Sequence, residues 1–245
     1  MKRIFIALTA AFLITAQAVF AAKPEGASGV KFRISPIIED SILLGGDMGQ
    51  ITLGGDAWGP DVRDVFRDGM GGGFEFGYRF DSNWEVYFGS GYMVYRGGTV
   101  SVTNATKDRI IMSFSDMNAV PSYIGIKLLF SSQPNKGLVP YIKGDIGGIW
   151  LSDVDTRISM RPATDLFEEN TVTTTWWKSS VRFMWDIGGG LEYRVSKYGV
   201  FFEAMSRGFT NPKSSGKRYI GEVLFNADGT AWMPLEMRLG ASYYF

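Results

Sequence analysis

The sequence predicts an all-β fold in which eight antiparallel strands close into an up-and-down barrel that spans a membrane. Segments of about ten residues alternate apolar with polar side chains, and short and long connections alternate between them. After the first thirty residues no run approaches the roughly 20 apolar residues that a spanning helix needs. Because lipid satisfies no backbone polar group, a membrane chain without spanning helices must close its sheet.

Composition narrows the class of protein. The 245 residues include 31 Gly and 15% aromatic residues, which suits a barrel that is apolar outside and polar inside. Equal numbers of basic and acidic residues, 25 of each, argue against a nucleic-acid partner. The absence of Cys excludes a disulfide scaffold and a lipid-modified N-terminal cysteine.

The N-terminus predicts an export signal. Two basic residues precede an apolar run over 4–13, and small residues follow before the chain turns polar. We expect residues 1–21 to be a signal peptide cleaved after Ala21, with Ala18 as the alternative site. Residues 22–245 then form a single barrel domain.

The eight predicted strands are 30–38, 71–80, 84–95, 122–130, 139–151, 181–195, 200–209 and 233–245. The first is the weakest, because Pro36 fits only at a strand end or a bulge. The second is clear, because aromatic residues alternate with glutamate, glycine and arginine, and a tight Asp81-Ser82-Asn83 turn leads into the third. The fourth alternates isoleucine, leucine and phenylalanine with tyrosine, glycine and lysine.

The later strands continue this pattern. The fifth and sixth set isoleucines and aromatics against lysine, arginine and acidic residues, and a turn over 196–199 leads into the seventh. The last strand has seven apolar residues at every second position and ends the chain on Phe245. The glycine runs 71–73 and 188–190 are expected to let the wall bend and to admit bulky side chains inside the barrel.

The connections predict how the barrel sits. The links after strands one, three, five and seven are about twenty residues or longer, and the others are short, which predicts that both termini are periplasmic. Within the long links, 99–102 with 110–114, and 219–225 before a turn at 226–229, are expected to form β-structure above the membrane. The alternative is that one such pair spans the membrane and makes ten strands.

Charge decides which face is internal. An Arg or Lys facing lipid at the midplane costs roughly 2–4 kcal/mol, so the charged faces must point inward. The predicted interior charges are Lys31, Arg33, Glu75, Arg79, Glu85, Lys127, Lys143, Asp145, Arg182, Asp186, Glu192, Arg194, Glu203, Arg207, Glu236 and Arg238. An eight-stranded barrel is just wide enough for side chains to fill, so these charges should pair and plug it.

Aromatic residues should mark both membrane interfaces. Trp84 and Tyr193 are expected at the short-turn end, and Tyr92, Phe209 and Trp232 at the long-loop end. An apolar pocket under the long loops would favour a function in transport over one in surface interaction. Its candidate lining residues are Met93, Tyr95, Ile149 and Leu151.

The last eight residues resemble the C-terminal assembly signal of bacterial outer-membrane β-barrels. The pattern lies in Arg238, Gly240, Tyr243 and Phe245. The chain thus resembles the small eight-stranded OmpA-like and opacity-like superfamily, with the OmpW-like family as the alternative. The resemblance implies an outer-membrane location and recognition by the barrel-assembly machinery.

No enzymatic role is expected. The outer-membrane enzymes of this size rely on a catalytic histidine, as the resemblance has it, and the sequence contains none. No cofactor or metal is predicted either. Asp61, Asp64 and Asp68, or Asp153 and Asp155, could bind Ca²⁺ through oxygen ligands, but solvated loop carboxylates are the favoured interpretation.

Two functions remain. The first is a structural or surface-interaction role, in adhesion or envelope integrity, through the four long extracellular loops. The alternative is a narrow channel or lateral-gate transporter for small apolar solutes. The expected partners are outer-membrane lipid, lipopolysaccharide, the assembly machinery and a host or cell-surface ligand, with the protein itself a monomer.

Overall fold

The computed structural model describes residues 32–53, 56–103, 109–130, 136–161, 170–220, 223–229 and 232–245. The predicted signal peptide, Lys31 and the start of the first predicted strand lie outside these residues. The described residues form β1 (Phe32–Ile42), β2 (Gln50–Leu53), β3 (Asp56–Trp58), α1 (Val62–Val65), β4 (Phe66–Arg79), β5 (Trp84–Gly97), β6 (Thr99–Thr103), β7 (Arg109–Phe114), β8 (Met117–Leu129), β9 (Gly137–Leu151), β10 (Val154–Arg161), β11 (Asn170–Lys178), β12 (Ser180–Val195), β13 (Tyr198–Phe209), β14 (Lys213–Ser214), β15 (Lys217–Ile220), β16 (Val223–Asn226) and β17 (Leu235–Tyr244).

Eight of these strands form a closed antiparallel barrel in the order β1, β17, β13, β12, β9, β8, β5 and β4. The first and last described strands complete it, because β1 pairs with β17 on one side and with β4 on the other. The prediction of eight strands is confirmed, and the alternative of ten is wrong. No helix among the described residues is long and apolar enough to cross a membrane.

Three barrel strands extend at least four residues beyond their predicted bounds. β1 runs four residues past the predicted end at Ile38, β4 begins at Phe66 rather than 71, and β8 begins at Met117 rather than 122. The added part of β1 has polar residues on both faces, so apolar alternation could not reveal it. A bulge between Phe66 and Gly69 similarly breaks the alternation of β4.

The long links extend the barrel wall. A five-stranded sheet has the order β14, β11, β10, β7 and β6, which repeats the order β13, β12, β9, β8 and β5 of the barrel strands that lead into it. The predicted hairpin over 99–114 is therefore confirmed as an extension above the barrel. The segment 219–225, predicted as one strand, belongs instead to two paired strands, β15 and β16.

A second sheet lies beside the first. It has the order β15, β16, β2 and β3, and draws on the first and last long links. The two sheets share one apolar core with the outer end of the barrel, built around buried aromatic residues. We call these two sheets and α1 the cap.

The outside of the barrel is apolar. Its exposed large side chains include Ile34, Ile38, Phe74, Ile124, Ile126, Ile142, Ile146, Phe183, Ile187, Leu191, Val200, Phe202 and Leu239. Trp84 and Tyr193 are exposed at the short-turn end and Tyr92 at the other, as predicted for interface residues. The assignment of Phe209 and Trp232 to the interface was wrong, because both are buried in the apolar core that the cap shares with the outer end of the barrel.

Inward-facing glycines make room for large interior side chains. A Cβ at Gly89 would lie 2.4 Å from the ring of Tyr123, and one at Gly190 would lie 2.7 Å from the hydroxyl of Tyr141. Cβ atoms essentially never approach so closely, so Gly89 admits no side chain unless Tyr123 moves. At Gly190 the backbone carbonyl of Phe202, 2.4 Å from the same Cβ, would have to move as well. The glycine run 188–190 thus serves one of the purposes predicted for it.

Candidate functional site

The candidate site is the barrel interior. Among the described residues, the strand alternation places eight cationic and eight anionic side chains there, namely Arg33, Arg79, Lys127, Lys143, Arg182, Arg194, Arg207 and Arg238 with Glu39, Glu75, Glu85, Asp145, Asp186, Glu192, Glu203 and Glu236. All are buried except Arg182, which is half-buried near the outer end. Of the predicted interior charges, Lys31 alone lies outside the described residues.

Arg207 is the centre of an outer cluster. Its guanidinium donates to both oxygens of Asp186, from Nε at 3.0 Å and Nη2 at 2.9 Å. It also forms ion pairs with Glu39 at 3.1 Å and Glu236 at 3.4 Å. One arginine on β13 thereby joins carboxylates from β1, β12 and β17.

Arg238 extends this cluster toward the middle of the barrel. Its Nη2 donates to Asp186 at 2.7 Å, and its Nε lies 3.3 Å from Glu39. A longer ion pair of 3.9 Å reaches Glu203. Because β1, β12, β13 and β17 all contribute, these charges tie together strands that are far apart in the sequence.

Two lysines form the middle layer. Lys143 donates to Glu75 and to Glu203, the latter at 2.9 Å. Lys127 lies 3.7 Å from Glu203 and 4.1 Å from the centre of the Tyr141 ring, so it combines an ion pair with a cation–π contact. These contacts join the two sides of the barrel across its axis.

The layer nearest the short turns is held by arginines. Arg33 bridges Glu75 at 2.9 Å and Glu85 at 2.8 Å. Arg194 pairs with Glu192 at 2.6 Å and lies over the Tyr244 ring at 4.6 Å. The charge network therefore runs from the short-turn end of the barrel to the base of the cap.

Interior tyrosines supply further donors. Tyr87 donates to Asp145 at 2.8 Å, and Tyr141 donates to Glu203 at 2.7 Å. Tyr123 donates to Glu75 at 3.3 Å. Each of these three carboxylates therefore has a phenol donor, in addition to or instead of a cation. The hydrogen bond offsets the cost of taking the carboxylate out of water.

The outer end of the interior is apolar. Met93, Tyr95, Ile149 and Leu151 are buried there, and all four belong to the core shared with the cap. The Tyr95 ring packs edge-on against Trp232 of the last long link, with centroids 6.4 Å apart. Side chains from the long links thus pack on the residues predicted to line a pocket.

Glu39 is the interior charge that sequence reasoning missed. The predicted first strand ended at Ile38, one residue before it, yet Arg33, Ser35, Glu39 and Ser41 are all buried at alternate positions. Continuing that period of two past Ile38 would have identified it. The sequence analysis also did not identify the interior tyrosines as hydrogen-bond partners of the carboxylates.

The aspartates considered for calcium have structural roles. Asp61 caps α1 by accepting from Arg63 N–H at 2.9 Å, and its own N–H donates to Asp64, forming a capping box. Partial burial raises the pKa of Asp61, but hydrogen bonds from Arg63 and Gly46 outweigh it and hold that pKa below its ordinary value. The described residues contain no group of three or more acidic side chains placed to hold a metal ion.

The residues of the predicted assembly signal divide between the two faces. Arg238 is buried inside, whereas Tyr243 and Phe245 are exposed outside with stacked rings 6.1 Å apart. A Cβ at Gly240 would lie 2.2 Å from the Phe201 ring, so the interior contact accounts for this glycine. Recognition by assembly machinery remains a prediction.

Comparisons with known proteins bear on the fold. No protein-family model matches the chain, and no curated protein sequence matches it either. Similar solved structures include the outer membrane protein AlkL, with a TM-score of 0.50 and 17% identity over 91% of this chain and 95% of that chain. OprG from Pseudomonas aeruginosa has a TM-score of 0.47 and 15% identity over 91% and 99%.

A third similar structure is the outer membrane protease OmpT from Escherichia coli, with a TM-score of 0.46 and 10% identity over 91% of this chain and 100% of that chain. Such identities compare folds rather than activities. The closed eight-stranded barrel agrees with the AlkL comparison, and its apolar exterior suits contact with lipid. The chain therefore has the eight-stranded transmembrane fold of outer-membrane β-barrel proteins.

Proposed function

We propose that this protein is a non-enzymatic surface barrel of the bacterial outer membrane, which holds its cap outside the cell for contact with other surfaces. In this proposal the short turns and both termini are periplasmic, and lipopolysaccharide surrounds the base of the cap. The signal peptide and the assembly machinery deliver the chain to that membrane. The absence of histidine supports a role without catalysis.

The observation that carries the proposal is the ion-paired interior. Arg207, Asp186, Lys143 and Glu203 are all fully or almost fully buried, and each contacts an opposite charge. A water-filled pore would leave such side chains hydrated and exposed. The cap core then closes the outer end of the barrel with packed apolar side chains.

Conductance across a planar lipid bilayer tests this proposal. We expect the mature protein to insert without producing a steady single-channel current, because paired side chains occupy the interior. The change of electrophoretic mobility on heating would report that the inserted barrel is folded. A large and steady conductance from folded protein would contradict the plugged barrel.

A second function, passage of small apolar solutes, draws support from one place in the wall. Pro121 has no N–H to donate to β5, and the β5 to β8 register omits its partner Gly91. The Pro121 carbonyl instead accepts a hydrogen bond from the Ser90 hydroxyl at 3.0 Å. On the inner side of this stretch, where β5 and β8 are not paired, lie Met93 and other apolar residues of the outer interior.

Uptake of a radiolabelled short alkane by intact cells would separate the two functions. Under the surface role, cells that express the protein and cells that lack it take up the alkane equally fast. A transporter would raise the rate of alkane uptake. Met93→Trp, which adds bulk on the inner side of the unpaired stretch of β5 and β8, would return that rate to the basal value. Faster uptake with that sensitivity would favour transport.

A further inference from the structure

β6 is an edge strand whose outer backbone groups face no other described strand. Within the described part of the chain it pairs with β7 alone and forms one end of the five-stranded sheet. The N–H of Phe114 donates to the Gly98 carbonyl at 2.9 Å. Since backbone groups alternate between the two edges of a strand, those of Thr99, Ser101 and Thr103 point away from β7.

Within its five residues, β6 lacks three of the protections that natural edge strands use. Natural edges carry lysine, proline or a bulge that prevents pairing with another chain. Thr99-Val100-Ser101-Val102-Thr103 contains no charge and no proline, and it pairs with β7 without a register shift. α1 meets this edge at its foot, where the Gly98 N–H donates to the Val65 carbonyl at 2.7 Å.

The sequence of β6 is a palindrome about Ser101. If two copies of the chain pair their β6 edges in antiparallel fashion about this residue, Ser101 lies opposite its counterpart. Each Thr99 then lies opposite a Thr103, and each valine lies opposite a valine. Such β-branched and hydroxyl pairs are favourable between neighbouring strands, and a two-fold axis repeats every favourable pair.

The direction of β6 determines how the two copies face each other. Tyr95 pairs with Met117 in the barrel and Thr99 pairs with Ser113 in the cap, so the hairpin adds the same number of residues on both strands. β6 therefore continues β5 away from the membrane. Antiparallel pairing reverses the second copy, so that the two barrels point in opposite directions.

The distance agrees with contact between two membranes. Tyr92 lies at the outer interface, and the chain from Tyr92 to Ser101 rises roughly 23 Å at about 3.3 Å per residue and a tilt near 40°. Two such rises place the two membrane surfaces about 45 Å apart. Each β6 would then meet its counterpart midway between the two membranes.

We propose that the partner of this surface is a second copy of the same chain in an opposing membrane, bound through its β6 edge. This inference rests on the proposed surface-interaction function and names the partner for it. It replaces the monomer expected from the sequence with a homotypic contact between cells.

Cross-linking tests the contact directly. The chain has no cysteine, so Ser101→Cys supplies a single exposed thiol. Opposite residues of a hydrogen-bonded antiparallel pair have Cα atoms about 5.5 Å apart, which is within the range for a disulfide. When vesicles carrying the full mature protein are oxidised, we expect disulfide-linked dimers for Ser101→Cys and at least tenfold fewer for Arg157→Cys, an exposed position on the inner strand β10.

Vesicle clustering tests the consequence. Ser101→Lys would place two lysines opposite each other at the centre of the contact, and we expect clustering to fall at least tenfold. Thr171→Lys on β11 is the matched control and should cluster like the wild type. Equal clustering by Ser101→Lys and the wild type, equal cross-linking by both cysteine variants, or loss of clustering with Thr171→Lys alone would each overturn the inference.

The outcome also separates this inference from the function on which it rests. Wild-type vesicles that do not cluster, from a barrel that shows no conductance, would overturn the homotypic contact and leave the plugged surface barrel in place. A conducting barrel whose vesicles still cluster through Ser101 would overturn the plugged barrel and support the contact.

Discussion

At the scale of single residues, the interior depends on a few arginines that each serve several carboxylates. Arg207 contacts Asp186, Glu39 and Glu236, which come from three different strands. Replacing a whole buried ion network by apolar residues is often neutral, whereas removing one partner leaves uncompensated charges. The network is therefore sensitive to single substitutions that change its charge balance.

Arg207→Met should destabilise the folded barrel by about 3–5 kcal/mol, because it keeps most of the side-chain volume but leaves three carboxylates without their shared cation. Urea unfolding in lipid vesicles, followed by tryptophan fluorescence, would measure the change. Arg157→Met, at an exposed position in the cap, should shift the free energy of unfolding by less than about 0.5 kcal/mol. Similar losses for both variants would show that the network does not stabilise the barrel.

At the scale of elements, small and large residues on neighbouring strands fill the interior together. Gly89 on β5 lies beneath the Tyr123 ring of β8, and Gly125 on β8 lies beneath the Tyr87 hydroxyl of β5. At two successive inward positions, a glycine on one strand thus lies opposite a tyrosine on the other. This arrangement brings each phenol to its carboxylate, Glu75 for Tyr123 and Asp145 for Tyr87.

Gly89→Ala should cost about 1–3 kcal/mol of barrel stability, because the new Cβ would lie 2.4 Å from the Tyr123 ring and force it to move. Gly144→Ala is the control, since a Cβ there meets nothing closer than 3.6 Å on the outer face of β9. Its effect should stay within about 0.5 kcal/mol. The same urea measurement applies, and equal effects of both variants would argue against the packing role.

The elements also show how far sequence could predict this structure. All eight barrel strands and the charged face of each could be predicted, because lipid outside and ions inside impose a strict period of two. The start of β8 could not be predicted, because Asn118, Pro121 and Ser122 interrupt the alternation of apolar and polar residues in its first half. The pairing of individual charges, such as Arg33 with both Glu75 and Glu85, depends on side-chain reach that alternation does not encode.

At the scale of the whole molecule, two interiors are stacked. Ion pairs fill the part of the barrel within the membrane, and an apolar core fills the cap and the outer end of the barrel. Met93 lies at the boundary, with its sulfur 3.3 Å from Nη1 of Arg207. The cap thus has a soluble-protein core that continues into the barrel, which gives the long links a fixed surface to present.

That surface is useful only if it lies outside the cell, and single cysteines can test its side. We expect Arg157→Cys in the cap to react with a membrane-impermeant maleimide on intact Gram-negative cells, and Lys197→Cys in the turn between β12 and β13 to react only after the outer membrane is permeabilised. Both positions are exposed and the chain has no other thiol, so labelling reports sidedness rather than burial. Labelling of Lys197→Cys alone on intact cells would show that the barrel has the opposite orientation. The cap would then lie in the periplasm and could not take part in any contact between cells.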